Sequence, residues 1–201
     1  MIKNEVTIAI YQKRVVNGAI GPSTMRNQGP PGTIDVIRKY LFRLEMGRFM
    51  DVDENGFNEL LDLHTEKLRK KIIGWVSKEN RKPKSLYQNQ YWGTARKALN
   101  VYLMLACYHR ELSTYFGLRK LERYLEVPLD SYVAKGLKKA TKQLRTLGHG
   151  SFKLPAWKGV KKLSRKDSDK YQSSASDYAN EEPKCTRVQL DLLFWRQDQD
   201  K

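Results

Sequence analysis

The chain has few of the residues from which metal and disulfide sites are made. Cys107 and Cys185 are its only cysteines, and His64, His109 and His149 its only histidines. Two thiols cannot form a disulfide framework or ligate an iron–sulfur cluster, and the histidines stand too far apart for a local His-x-x-x-His motif. No metal and no other cofactor is expected. No apolar run reaches the length of a membrane span and no signal-peptide pattern is present, so a soluble, cytoplasmic protein without a membrane partner is expected. Internal repeats are absent.

Acidic residues are scarce in a patterned way. Lys and Arg number 38 against 22 Asp and Glu, a net charge of +16. Between residues 134 and 166 there are eleven basic residues and no acid, whereas from Asp167 onward eight acids face five bases. No tight carboxylate cluster accompanies the basic run, which disfavours a metal-dependent nuclease. The charge predicts attraction to a polyanion, most simply nucleic acid, with an affinity that falls as salt rises. A ribosomal, RNA-binding or membrane-surface protein would carry the same charge. Lys135, Lys138, Lys139 and Lys142 open the basic run and are read as contacts to a DNA backbone, although a solvated helix face has the same composition.

Glycine and proline concentrate in one place. Residues 18–32 contain four glycines and three prolines, too many breakers for a helix. Arg26, Asn27 and Gln28 carry side chains suited to base edges, so this loop is a candidate for entering a duplex; a plain connection is the simpler reading. Elsewhere the spacing predicts helices over residues 6–16, 34–47 with Thr33 as N-cap, 55–73, 169–180 and 186–195, with a basic connection over 74–85. Hydrophobic residues at 40% suffice for a core, and a single all-α domain over residues 1–201 is expected.

The chain is organised around residues 91–137. From Thr94 to Tyr108 apolar and aromatic residues occupy every side except at Arg96, Lys97 and Asn100, which predicts a buried, central helix. With Thr94 as N-cap, Lys97 falls at about the third helical position, where the helix dipole, the neighbouring Arg96 and burial all disfavour an ammonium. Lys97 is thus a candidate nucleophile. Asp130 follows Val127-Pro128-Leu129 and precedes a helix predicted over residues 131–144; an N-cap role accounts for it without any chemistry.

Two segments carry a family resemblance. Gly93 followed by Arg96-Lys97-Ala98-Leu99-Asn100-Val101, and later Val127-Pro128-Leu129-Asp130-Ser131-Tyr132-Val133, resembles the active-site signature of the helix-hairpin-helix base-excision DNA glycosylases. The resemblance implies that Lys97 corresponds to the Schiff-base lysine and Asp130 to the catalytic aspartate. Their separation looks most like that of the archaeal 8-oxoguanine DNA glycosylase branch, with residues 110–126 supplying an additional short helix. Two departures are evident: only Gly93 remains of the usual Gly-x-Gly, and Tyr132 stands where histidine is usual.

The resemblance implies a three-part order along the chain. Residues 1–84 hold N-terminal helices and the Gly/Pro-rich loop, 85–145 a hairpin and catalytic core, and 146–201 a basic loop and C-terminal helices. Residues 85–90 form the first helix of the hairpin, and Gly93, Thr94 and Arg96 grip DNA at its turn. Trp75, Trp92, Trp157 and Trp195, together with Tyr132, are candidate pocket walls for an extruded base; independently of the resemblance, Phe152 and Trp157 sit within the basic run and can stack on a base, and core packing is the alternative for each. The expected partner is double-stranded DNA with a modified base, bound by a monomer. The expected reaction is base excision with a lyase step, on 8-oxoguanine or on a modified phage base, in repair or in defence. The rival from another class is a non-catalytic, all-helical DNA- or RNA-binding module.

Overall fold

Apolar residues at helical spacing fold as helices throughout. The computed structural model of the chain describes residues 5–146 and 153–196, the last two by backbone only. His149, Phe152 and the side chain of Trp195 therefore lie outside the described residues. Among these the elements are α1 (Glu5–Ala19), α2 (Thr33–Phe42), α3 (Glu54–Glu79), α4 (Trp92–Tyr108), α5 (Arg110–Phe116), α6 (Ser131–Thr146), α7 (Arg165–Glu181) and α8 (Leu190–Arg196), joined by turns and short 3-10 segments. The fold is all-α.

Helix α4 is the axis. Nearly all of its residues are buried, as a helix apolar on every side must be. Helices α1, α2, α3 and α5 pack around it, and Ile37, Leu41, Phe57, Leu68, Leu99 and Tyr102 belong to the resulting core. A second apolar cluster forms on α6, α7 and α8, from Val127, Val133, Leu137, Tyr171, Ala175 and Phe194. The first two turns of α4 lie where these two clusters meet, against the short Val160–Lys162 turn and α7.

Several boundaries differ from the spacing-based expectation, each for a local reason. Helix α2 starts at Thr33 rather than after it: Gly32 (φ 83°) is the cap, and the Thr33 hydroxyl donates to Pro30 O at 2.7 Å. It also stops at Phe42, short of residue 47, and Met46–Phe49 forms a separate 3-10 turn. Helix α3 runs on through Gly74 to Glu79 because Ile72 and Val76 are both fully buried, outweighing a glycine penalty of about 1 kcal/mol. Only a 3-10 turn, Lys84–Tyr87, precedes α4 where the first hairpin helix was expected. The inserted region is α5 plus the 3-10 turn Leu118–Leu121, broken at Gly117 (φ 68°). Helix α7 begins earlier than expected, at Arg165, with Ser164 accepting the Asp167 amide.

Candidate functional site

Lys97 and Asp130 come together where the two apolar clusters meet. The ammonium lies 3.4 Å from Asp130 Oδ2, and Lys97 is only 9% exposed. The other oxygen, Oδ1, accepts the backbone amides of Tyr132 at 2.9 Å and Val133 at 3.0 Å, satisfying orphan donors of α6. One carboxylate thus caps a helix and faces a lysine at once. The segment leading to it is held by Gln172, whose amide spans Val127: its oxygen accepts from Val127 N at 3.2 Å and its nitrogen donates to Val127 O at 2.8 Å. A lone Gln in a polar, serine-rich helix gave no signal of this splint.

The setting of Lys97 differs from the expected one. Helix α4 begins at Trp92, preceded by Tyr91 with φ 66°, so Thr94 is its third residue and Lys97 its sixth. The dipole fades beyond the first turn, so it is not what sets Lys97 apart. Arg96 does not stand as an unopposed neighbouring cation either. Its guanidinium pairs with both oxygens of Glu126 at 2.8 and 2.9 Å, donates to Asp62 at 2.9 Å, and lies 5.2 Å from the centre of the Trp92 ring. Asn100 donates to the same Glu126 at 2.8 Å, and Arg165 pairs with the other oxygen of Asp62. Burial alone would raise the Glu126 pKa, but Arg96, Arg187 and Asn100 outweigh it and hold this carboxyl below its ordinary range.

Three residues expected at the DNA are therefore interior. Arg96 is committed to Glu126 and Asp62. Thr94 is fully buried and donates its hydroxyl to Gln28 Oε1 at 2.8 Å. Gly93 is covered by the chain at Val160 and Leu163: a Cβ there would strike the Val160 carbonyl oxygen and come within 2.6 Å of Leu163 Cβ. Glycine is needed for this close approach of backbone to backbone, a reason that sequence spacing cannot disclose.

The tryptophans and the Gly/Pro-rich loop also sort themselves. Trp75 donates to Pro31 O at 3.0 Å and lies over Gly32, clamping the loop. Trp92 is buried beneath Arg96. Neither lines the groove along α6 or the hollow at the start of α3. Gln28 latches the loop to α4, its Nε2 donating to Arg26 O at 3.0 Å, whereas Arg26 and Asn27 are exposed, Asn27 with φ 60°. Tyr132 is 47% exposed, two residues beyond Asp130.

A third ionisable group was missed. Asp191, in the first turn of α8, has its pKa raised to about 6 by burial first and by the negative charge of Asp130 second, with Lys97 opposing. Gly136 makes this possible. Its bare Cα admits the Phe194 ring, where an added Cβ would come within 2.9 Å of Cε1, and α8 is thereby drawn onto α6. The one available signal was a single acid inside the apolar run from Val188 to Trp195.

Beside Asp130 the surface becomes a groove of about 370 Å³, lined by Ser131, Ala134, Trp157 and the lysines at 135, 138, 139 and 142. All four lysines expected at the DNA thus share one surface with Trp157. A larger hollow of about 480 Å³, between the Met46–Phe49 turn and the start of α3, includes none of the candidate residues. Among the described residues no group of three or more His, Cys, Asp and Glu side chains could hold a metal ion, and no helix is long and apolar enough to cross a membrane. No family model, curated protein or solved structure matches the chain.

Proposed function

We propose that this protein is a DNA N-glycosylase with an accompanying lyase step, in which Lys97 is the nucleophile and Asp130 its partner. The supporting observation is the 3.4 Å approach of Lys97 Nζ to Asp130, from segments 33 residues apart, next to a lysine-lined groove. The substrate is duplex DNA with a damaged or modified base extruded from the stack. Extrusion costs a few kcal/mol, least for a base that is already badly paired.

The chemistry follows from the pair. Asp130, ionised, stabilises positive charge growing at C1′ and takes a proton from the Lys97 ammonium. The freed lone pair attacks C1′ while the N-glycosidic bond breaks, its electron pair leaving with the base, which is protonated. Loss of a further amine proton and opening of the C1′–O4′ bond give an imine to Lys97, with O4′ becoming a hydroxyl. Removal of a C2′ proton then expels the 3′-phosphate and nicks the strand. An oxidised purine such as 8-oxoguanine, or a hypermodified phage base, fits this route, and no diffusible cofactor enters it.

One observation favours a second reading. The cap bonds from Tyr132 and Val133 account for Asp130 by themselves, as in an all-helical DNA- or RNA-binding module. Borohydride trapping separates the two. Duplexes carrying an abasic site, 8-oxoguanine, uracil or glucosylated hydroxymethylcytosine are expected to give a covalent adduct with wild type and none with Lys97→Gln. Base release without an adduct transfers the attack to water. Neither release nor adduct, from folded protein bound to DNA, leaves the binding module.

A further inference from the structure

We infer that the groove along α6 is a nucleotide subsite separate from the reacting centre: one base of the strand flanking the target stacks on Trp157 while neighbouring phosphates lie on Lys138, Lys139 and Lys142. The inference rests on the reading above only in taking DNA as the strand.

Helix α6 is two-faced. Val133, Leu137, Ala140, Thr141 and Leu144 are buried, while the lysines at 135, 138, 139 and 142 are exposed. At 100° per residue those four lysines fall within an arc of about 100°. Among the described residues Lys138, Lys139 and Lys142 have no ion-pair partner, and no carboxylate lines the groove. Such a row repels itself and is relieved by a polyanion rather than by a single charge.

The groove also has what a base requires. Small side chains, Ser131 and Ala134, line it beside the lysines, and Trp157 is the one aromatic among its lining residues. Trp157 is positioned in advance: its ring stands edge to face on Tyr171 with centroids 5.7 Å apart at 85°, and the Tyr171 hydroxyl donates to Pro155 O at 2.9 Å. A platform already held in place loses little freedom when a base arrives. Aromatic stacking accepts any base, so the subsite reads position and not sequence.

Length and place complete the case. Ser131 to Lys142 spans about 16 Å of helix, past which about five phosphates of a duplex strand run. The groove begins at Ser131, the residue after Asp130. A strand lying in it therefore passes the Lys97–Asp130 pair within a few nucleotides of Trp157.

The test is a binding measurement on the full chain carrying Lys97→Gln, so that it does not depend on turnover. Fluorescence anisotropy is read with a duplex containing a tetrahydrofuran abasic analogue. Trp157→Ala is expected to weaken binding about tenfold with an unchanged salt slope, Trp157→Phe to retain most of the affinity, and Lys138→Gln with Lys142→Gln to reduce the slope by about 2. Bases flanking the analogue are then deleted one at a time. At one position, within about five nucleotides, deletion should cost the chain carrying Lys97→Gln alone about tenfold and the chain that also carries Trp157→Ala nothing. Wild-type affinity in Trp157→Ala, no position that couples to Trp157, or tighter binding to RNA or to phosphatidylserine vesicles than to the duplex overturns the subsite. Coupling, with neither base release nor a borohydride adduct from the chain that keeps Lys97, retains the subsite and removes the enzyme; an adduct without coupling does the reverse.

Discussion

Lys97 and Asp130 meet through one carboxylate oxygen, 3.4 Å from the ammonium, while the other oxygen holds the amides that open α6. The two roles can be taken apart, because an amide oxygen still caps a helix but carries no charge.

Asp130→Asn is accordingly expected to change the urea-unfolding free energy by no more than about 1 kcal/mol while lowering base release by about 100-fold or more. Asp130→Ala should lose both. A product assay run beside a urea melt checks the pair of values, and an Asn variant that remains fully active removes Asp130 from the chemistry.

Arg96 belongs to the interior. Replacing it with methionine leaves Glu126 buried without its main partner, which should cost about 3–5 kcal/mol. Adding Glu126→Gln should recover part of that loss. Among variants that still fold, the salt slope for DNA binding should match wild type, since Arg96 touches no phosphate; a reduced slope would place it at the DNA after all.

Asp191 makes stability depend on pH. Its folded pKa of about 6 lies above the unfolded value of 3.8, so the folded form holds the proton more tightly. The stabilisation is complete below the unfolded value and is lost as pH rises through 6. Asp191→Asn, which stays neutral, should therefore gain on wild type between pH 4 and 7, by at most about 3 kcal/mol, and then level off. Urea midpoints at pH 4, 6 and 8 give the profile; a difference that is flat across them contradicts the burial of this charge.

Gly93→Ala should act on folding. The added methyl meets the Val160 carbonyl and Leu163, and because a backbone atom is among them, relief requires moving the turn; a loss of about 1–3 kcal/mol is expected. Were Gly93 instead a phosphate grip, DNA affinity would fall at unchanged thermal stability. Thermal melts and anisotropy on one preparation separate these results.

The sequence made the helical class legible because apolar residues recur at helical spacing and breakers cluster in one loop. The burial of α4 followed from apolar residues on all its sides. The lysine row could be placed on one face of α6 by counting, and paired motifs brought Lys97 and Asp130 into view. What stayed hidden depends on partners distant in the chain. Arg96 reads as an unopposed neighbour of Lys97 and a DNA contact until Glu126 and Asp62 are seen closing on it. Thr94 reads as a cap until Gln28 takes its hydroxyl. Helix α3 runs past the residue 73 that spacing predicts as its end: Gly74 weakens a helix locally, and the burial of Ile72 and Val76 that carries it on is a tertiary fact.

Helix α6 begins beside Asp130, packs its apolar residues on one side and aligns its lysines on the other, all in sixteen residues. One residue inserted between Asp130 and Lys142 would turn everything beyond it by about 100°, carrying lysines toward the core or valine and leucine toward water. Arginine in place of an exposed lysine keeps the charge and disturbs neither side. Change in this segment is therefore expected to accumulate by replacement, with arginine arriving at positions 135, 138, 139 and 142, while the number of residues between the aspartate and the last lysine of the row stays fixed.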